Sequence, residues 1–355
     1  MKILHVTTHI GQGGDWSVIK NLADIFSKNG HQIIIAGANI NSDKYPSIEM
    51  PLNEGKIGFL KALKQIDKIP HDLDVLHAHS PITLFLSLII KIIRCRKAKV
   101  IFTYHWLIIN TSFKKKIKSL LFNAADIVQC HAIDVHDFLC SEYGLKEDKC
   151  KLVYVGVDTK RFSLIDSDDK LLRKEQYQIS DEKFVLLYAG RLAPEKNIPS
   201  ILKYLKETSK DVVLLIAGDG GQRPDLEQLV KQFNISNRVK FLGKISDIES
   251  AYAVSDLLLL PSSSMETFGM VVIEAALCGL PTLRSDLPGA IDQIDHEYNG
   301  FIFPKDEPRK MNTIIDAACD GQYDLKIMGE RACNQAKEKF SLEAMYAGFI
   351  ELYSQ

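Results

Sequence analysis

The sequence contains no Cys-x-x-Cys pair, and its seven cysteines, at 95, 130, 140, 150, 278, 319 and 333, are odd in number and scattered. That spacing argues against a disulfide framework or a zinc site and fits a reducing cytoplasm. No apolar run is long enough to span a bilayer, since the greasiest stretch, Ile82 to Ile93, is broken by Lys91. The opening Met1-Lys2-Ile3-Leu4-His5-Val6 has neither the long apolar core nor the small-residue cleavage site of a secretory signal and reads as a strand. Net charge is nearly absent: 44 basic against 45 acidic residues leave -1, which removes any global case for a nucleic-acid binder. Short internal repeats and low-complexity tracts are missing too. What remains is ordinary soluble usage, 46% apolar and 25% charged over 355 residues. That length is about twice one domain's, so a cytoplasmic two-domain protein is expected.

Charge is absent on average but not locally. Up to Ile165 there are 22 basic and 15 acidic residues, a net of +7; the remainder holds 22 and 30, a net of -8. From Val75 to Ala125 there is no Asp or Glu at all, while nine cations occur: Lys91, Arg94, Arg96, Lys97, Lys99, Lys114, Lys115, Lys116 and Lys118. Such a stretch is either a solvated basic face or a surface for anions.

Strand-like and helix-like runs alternate from end to end. Strands are expected at Lys2-Thr8, Gln32-Ala38, Val75-Ala78, Val100-Tyr104, Ile127-Cys130 and Leu152-Val155. After a polar stretch from Ser163 to Lys183 they resume at Val185-Tyr188, Val212-Ala217, Val239-Leu242, Leu257-Leu260, Pro281-Arg284 and Gly300-Phe303. Runs such as Ile33-Ile34-Ile35 are apolar throughout, as strands covered by helices on both faces must be. The expected fold is α/β, two doubly wound Rossmann-like domains in tandem. We place the domains at 1–165 and 166–338, followed by a terminal helix over 339–355 whose Met345, Tyr346, Phe349, Ile350 and Tyr353 form one apolar stripe.

Ligands of such sheets bind at the carboxyl ends of strands, so the loops there are the candidates. After the first strand comes Gly11-Gln12-Gly13-Gly14, where backbone can approach a phosphate or sugar at a helix start. It fails as a dinucleotide fingerprint, because Trp16 stands where the third glycine belongs and no acid ends the second strand. After Val185-Tyr188 comes Gly190-Arg191-Leu192-Ala193-Pro194-Glu195-Lys196-Asn197, two cations five residues apart that suit a pyrophosphate, unless one of them simply pairs with Glu195. After Leu257-Leu260 comes the most informative segment, Pro261 to Glu274. Glu266 precedes a helix start at Phe268-Gly269, the amides of Gly269, Met270 and Val271 can face a phosphate, and Glu274 lies eight residues beyond Glu266. Carboxylates there can each accept from two sugar hydroxyls.

Together these loops resemble the family 4 glycosyltransferases, enzymes of the GT-B fold. Glu266 and Glu274 match the family's E-x7-E motif, and Gly190-Arg191-Leu192 with Glu195-Lys196-Asn197 matches its diphosphate loop. Ala217-Gly218-Asp219-Gly220, Phe241-Leu242-Gly243, Asn299-Gly300-Phe301 and Val155-Gly156-Val157-Asp158 fit further landmarks. The likeness covers nearly the whole chain and is most specific from Ala189 to Phe303.

The resemblance implies that the second domain binds a nucleoside-diphosphate sugar, expected to be UDP-linked, and the first an acceptor, with reaction in a cleft between them. The terminal helix is implied to cross back to the first domain. Arg191 and Lys196 are implied to neutralise the diphosphate, Glu266 to contact the donor sugar and Glu274 to bind the ribose. Gly13, Gly14, Gly190, Gly218, Phe268, Gly269, Met270 and Val271 are placed around the donor, with Lys244 and Ile245 near the base. A histidine after a first-domain strand is a further family feature; His105 in Thr103-Tyr104-His105-Trp106 matches best, ahead of His77, His79 and His131. It would hydrogen-bond the donor sugar or share transition-state charge.

The chain departs from the pattern in carrying Leu287-Pro288-Gly289-Ala290-Ile291-Asp292 where a Glu is usual, and in the bulk of Trp16. Asp166-Ser167-Asp168 spells the metal signature of another glycosyltransferase fold but lies in the polar linker, and reads as solvated charge. Neither a cofactor nor a metal is therefore expected. The expected activity is retaining transfer of a hexosyl or N-acetylhexosaminyl group to a hydroxyl, as in surface-polysaccharide or glycoconjugate synthesis. The basic run around Lys114, Lys115, Lys116 and Lys118 suggests docking on anionic lipid to reach a lipid-linked saccharide. The rival readings are a GT-B sugar-nucleotide epimerase and a non-catalytic donor-binding subunit; a nicotinamide oxidoreductase is the weakest.

Overall fold

The structure, a computed structural model, describes residues 1–9, 14–39, 44–105, 112–164, 173–264, 266 and 268–354. It comprises two compact units, Met1–Gly156 with Ser341–Gln355, and Val157–Phe340. The chain leaves the first unit at Gly156, so 157–164 fold with the second unit and not, as the sequence suggested, with the first. The terminal helix belongs to the first unit.

The first unit is built on β1 (Lys2–His9), β2 (Gln32–Ala38), β3 (Ser47–Glu49), β4 (Val75–Ala78), β5 (Lys99–Thr103), β6 (Ile127–Cys130) and β7 (Cys150–Leu152). They form one parallel sheet in the order β3-β2-β1-β4-β5-β6-β7. Helices α1 (Gly14–Lys28), α2 (Gly55–Leu63), α3 (Pro81–Ile93), α4 (Ser112–Ala124) and α5 (Ile133–Tyr143) connect the strands. Ser80 caps α3 in a reciprocal box with Thr83, ahead of Pro81 at the first turn.

The second unit carries β8 (Phe184–Ala189), β9 (Val212–Ala217), β10 (Val239–Gly243), β11 (Leu257–Leu260), β12 (Thr282–Ser285) and β13 (Phe301–Phe303), parallel in the order β10-β9-β8-β11-β12-β13. Its helices are α6 (Ile198–Glu207), α7 (Arg223–Gln232), α8 (Ile248–Val254), α9 (Met270–Leu277), α10 (Ala290–Gln293), α11 (Pro308–Cys319) and α12 (Leu325–Lys339). The chain then returns to the first unit as α13 (Leu342–Ser354), burying Met345, Phe349, Leu352 and Tyr353. Tyr346 meets Phe26 edge-on at 4.8 Å.

Strand order reverses between β1 and β4 in one sheet and between β8 and β11 in the other. These switch points are where crevices open at the carboxyl ends of parallel strands. Strand interiors are buried without exception in β4, β6, β9, β11 and β12; β9 and β11 accordingly read as continuous apolar runs, while β4, β6 and β12 bury polar side chains as well.

Candidate active site

At the switch point of the second unit, the loops after β8 and β11 are bound to one another. Gly190 leaves β8 at φ +147°, a conformation closed to other residues, and its N–H donates to Ala217 O at 2.9 Å. Gly218 follows β9 so close to this loop that a Cβ there would lie 1.8 Å from Gly190 O. Its own N–H donates to Gly243 O at the end of β10, at 2.7 Å. Three successive strand ends are thus stitched together by glycine backbone. Tyr188, buried in β8, donates its hydroxyl to Arg191 O at 2.8 Å. Ser263 N–H donates to Glu195 O at 2.8 Å, tying the β8 loop to the β11 loop.

Lys196 and Glu266 meet across those two loops, Nζ to Oε2 at 2.5 Å, with side chains only 15% and 11% exposed. The Ser262 hydroxyl lies 3.4 Å from the same carboxylate oxygen. The Glu266 carboxyl carbon stands 3.7 Å from where a Cβ on Gly269 would be, and Gly269, at φ +80°, is the N-cap of α9. Val272 N–H bonds back to Gly269 O at 3.0 Å; the earlier amides of that turn, at Met270 and Val271, have no acceptor within the helix. An ammonium, a carboxylate and a helix N-terminus therefore converge on one strand-end crevice, an arrangement suited to an anion carrying sugar hydroxyls.

Arg191 stands apart from this trio. It pairs with Glu195 at 2.5 Å, the alternative weighed for this loop, and its side chain is 63% exposed. Glu274 sits five residues along α9 from the capping glycine, between one and two turns, and accepts from the Tyr252 hydroxyl at 2.8 Å. Burial raises its carboxyl above the usual range, while Tyr252 and the Arg161 guanidinium pull it partly back. Lys244 and Ile245 follow β10 and line an open cavity of 420 Å³ with Gln176, Tyr177, Asp247 and Ser250. Phe268 is buried edge-on against Phe340 at 5.6 Å.

One organising residue escaped sequence reasoning. Arg284, at the end of β12, is fully buried and donates to Phe268 O at 3.0 Å, to Pro288 O at 3.1 Å and to the Gln293 side chain. It holds the turn before α9 against the Pro288-Gly289 loop, the place where the chain departs from the family pattern. A cation inside a short strand that is buried throughout was the available signal.

In the first unit, Gly14 opens α1, while Gly13 and the linker residues Asp166, Ser167 and Asp168 lie outside the described residues. His105 follows β5 and is one of five buried histidines. His5 Nδ1 lies 3.0 Å from His79 Nε2, His79 Nδ1 3.1 Å from His105 Nε2, and His105 Nδ1 3.4 Å from His131 Nε2. His131 Nδ1 meets both the donor-only amide nitrogen of Gln129 at 3.0 Å and the acceptor-only Val153 carbonyl at 3.4 Å, so the row can run in either sense according to the tautomer of His131. A second branch runs from the Tyr353 hydroxyl to His77 Nδ1, from His77 Nε2 to Thr103, and on to Gln129, each step 2.7 Å. Burial is the main cause that drives all five imidazoles toward the neutral form, His5 to about 3 and His131 to about 4, with His77, His79 and His105 well below the usual value. His105 thus has both ring nitrogens engaged in the row. His5 was missed in the sequence, although its register opposite His77 on neighbouring strands places it there.

The basic stretch is partly neutralised by the fold. Lys91 pairs with Asp126 at 2.7 Å and Lys115 with Glu142 at 2.6 Å, while Lys99 donates to Leu352 O. Lys114 and Lys116 stand exposed on α4; Lys118 is half-buried and shifted downward by burial and by Lys114.

Both units match glycosyltransferase family models. Residues 12–161 match the model of Glycosyltransferase Family 4, and 169–335 that of Glycosyl transferases group 1. The chain is 26% identical to the N-acetyl-alpha-D-glucosaminyl L-malate synthase of Bacillus anthracis over 98% of its own length and 95% of that protein's. It is 29% identical to the alpha-monoglucosyldiacylglycerol synthase of Streptococcus pneumoniae over 69% of this chain and 59% of that one. The crystal structure of HepE from Anabaena in complex with UDP superimposes with a TM-score of 0.87 at 21% identity, covering all of both chains. Two Rossmann-like units, each matched by a glycosyltransferase model, and full-length agreement in fold place this chain among the family 4 glycosyltransferases of the GT-B fold.

Proposed function

We propose that the chain transfers a hexosyl or N-acetylhexosaminyl group, with retention, from a UDP-linked sugar to a hydroxyl acceptor. The observation that carries this is the Lys196–Glu266 pair at the N-terminus of α9. Cleavage of the anomeric C–O bond leaves negative charge on the diphosphate. Lys196 has three N–H donors and gives one to Glu266, so two remain for phosphate oxygens, beside the amides of Met270 and Val271. The exposed guanidinium of Arg191 supplies the second cation from the same loop. Glu266 accepts from sugar hydroxyls, Glu274 from the ribose, and the cavity lined by Lys244 and Ile245 takes the base. His105 reaches the sugar only by giving up one of its two ring contacts. This reading needs no metal at the diphosphate. Support for the donor comes from HepE, whose structures hold UDP and UDP-glucose, and from the named sugar of the Bacillus anthracis relative.

The experiment is a thermal-shift screen of UDP-glucose, UDP-galactose, UDP-N-acetylglucosamine and a GDP-sugar, without added metal. A UDP-sugar present at a hundredfold its Kd should raise the melting temperature, corresponding to about 2.7 kcal/mol. If no UDP-sugar shifts the protein while the GDP-sugar does, the donor assignment is wrong; if none does, the donor site is wrong. Incubating the donor alone separates transfer from epimerisation, because only an epimerase converts it without an acceptor.

We further propose that the first unit docks on anionic lipid to reach a lipid-linked saccharide. No described helix is long and apolar enough to cross a membrane. Large apolar side chains nevertheless stand exposed on neighbouring helices: Leu60 on α2, Phe85 and Ile92 on α3, Ile117 and Leu120 on α4. Phe59 and Phe85 stack at 5.7 Å, linking α2 to α3. Exposed Lys114 and Lys116 flank the α4 pair, the mixture of insertion and attraction that an anionic bilayer selects. Vesicles containing phosphatidylglycerol should sediment the protein at low salt, and neutral vesicles should not. Replacing Lys114 and Lys116 by Glu should weaken binding by about 10³-fold, at roughly 1 kcal/mol per cation and as much again for each reversal. Equal binding to neutral and anionic vesicles would remove the proposal.

A further inference from the structure

The cysteines that look scattered in sequence are not scattered in the fold. Cys130 ends β6, Cys140 lies on α5 and Cys150 begins β7, the outer strand of the first sheet. Cys150 pairs in register with Val128, two residues before Cys130, so both cysteines face the same side of the sheet. Helix α5 packs over that side. His136 and Cys140 are one turn apart on the helix, and His136 Nε2 lies 3.9 Å from Cys140 Sγ. The ligand atoms of His136, Cys140 and Cys150 all fall within 4.8 Å of one another. The thiols of Cys130 and Cys140 are close enough to Cys150 to shift its ionisation, Cys130 most strongly and downward.

From this geometry we infer that His136, Cys140 and Cys150 hold a zinc ion, with Cys130, whose thiol lies 3.7 Å from Lys151 O, the candidate for the fourth corner. Two neighbouring ligands on tetrahedral zinc, one sulfur and one imidazole nitrogen, stand about 3.6 Å apart given ordinary bond lengths. The observed separation of Nε2 and Sγ differs from that by a few tenths of an ångström. The far side of the imidazole is prepared as well. His136 Nδ1 lies 3.2 Å from the Asp137 carboxylate, the outer contact that fixes tautomer and ring orientation in metal-bound histidines and leaves Nε2 as the electron-pair donor. Cys130 and Cys150 are buried, whereas His136 and Cys140 are half-exposed, which gives the ion a way in. Thiolate with imidazole selects zinc over magnesium or calcium, which need oxygen ligands. The ion would clamp α5 and the three-residue strand β7 onto β6, near where the chain leaves the first unit. This is a structural site in the first unit, independent of the donor reading above.

Cobalt(II) provides the test, because its absorption reports both geometry and thiolate ligation. The full-length chain, reduced and stripped with chelator, should take up one equivalent of cobalt with tetrahedral d–d bands and thiolate charge-transfer bands, both erased by one equivalent of zinc. Zinc should raise the melting temperature by about 5 °C. Cys140→Ser and His136→Gln change half-exposed positions on a helix and should keep the fold by circular dichroism. Cys140→Ser should weaken cobalt binding by more than about 100-fold, and Asp137→Asn, which removes only the outer contact, by about 10-fold. Cys319→Ser, remote in the second unit, should leave the bands unchanged. Absence of thiolate charge transfer at one equivalent overturns the site, as would bands that survive in Cys140→Ser. Cobalt captured instead by the His5, His77 and His79 cluster would show no thiolate bands and would also overturn it.

Discussion

Lys196→Ala lowers turnover by about 10²–10³-fold while leaving the fold intact, the size expected when one preorganised donor to a developing oxyanion is removed. The side chain is held at 15% exposure against Glu266, so its charge acts where water is largely excluded and needs no rearrangement when the diphosphate departs. Because the charge on that group grows as the anomeric bond breaks, the loss should fall mainly on kcat and less on KM. Glu266→Ala should reduce turnover to a similar degree by another route: it strips the sugar contact and leaves Lys196 without its partner. The two residues touch, so their effects should not add, and the double variant should be little worse than the poorer single. Lys196→Arg should recover only part of the rate, since a planar fork does not replace a compact ammonium in this space. Arg191→Ala is the informative contrast. Its guanidinium is exposed and paired with Glu195, so its loss should cost less than that of Lys196. Steady-state kinetics with a UDP-sugar checks all five variants. A Lys196→Ala enzyme within threefold of the parent rate would dismiss this crevice as the place where the leaving group is held.

The difference between Lys196 and Arg191 shows what sequence can and cannot carry. Both cations lie on the loop that follows a fully apolar strand, and that position is legible because strand order and strand ends follow from local apolar runs. Which cation finds a partner depends on where α9 begins and where Ser263 bonds back, contacts between segments seventy residues apart. The short elements were hidden for a related reason. Strand β3, Ser47–Glu49, is a mostly exposed edge with no apolar signature. Strand β7 begins at Cys150 and ends at Leu152, whereas the apolar Leu152-Val155 run drew the expectation later. His5, Arg284 and the Cys130–Cys140–Cys150 group escaped for the same cause. Each is unremarkable along the chain and acquires meaning from register between neighbouring strands or from a helix laid across them.

The histidine row makes the first unit unfold in mild acid, close to pH 5. Five imidazoles, of His5, His77, His79, His105 and His131, are held neutral in the fold chiefly by burial. In the unfolded chain each regains the ordinary value of 6.5 and binds a proton as pH falls. The folded values lie below the unfolded ones, so the unfolded state takes up more protons between 6.5 and the folded pKa, and stability must fall with pH across that window. Above it the row contributes no pH dependence. With five protons bound on unfolding, the loss is about 7 kcal/mol at pH 5.5 and about 10 at pH 5, against a usual domain stability of 5–15. Carboxylates, which titrate near 4, come too late to account for a transition in this range. The row also explains why protonation finds no easy entry: the ring nitrogens that face one another already share one proton per contact, and His5 Nε2 is buried without a partner among the described residues. A proton placed there would be an unpaired charge in an apolar interior. Urea titrations followed by circular dichroism from pH 7.5 to 5 should show the midpoint of the first unit falling steeply. Calorimetry in buffers of different ionisation enthalpy should count close to five protons absorbed on unfolding at pH 5.5. A midpoint that stays level to pH 5, or an uptake below two protons, would mean that the imidazoles are already charged in the native row.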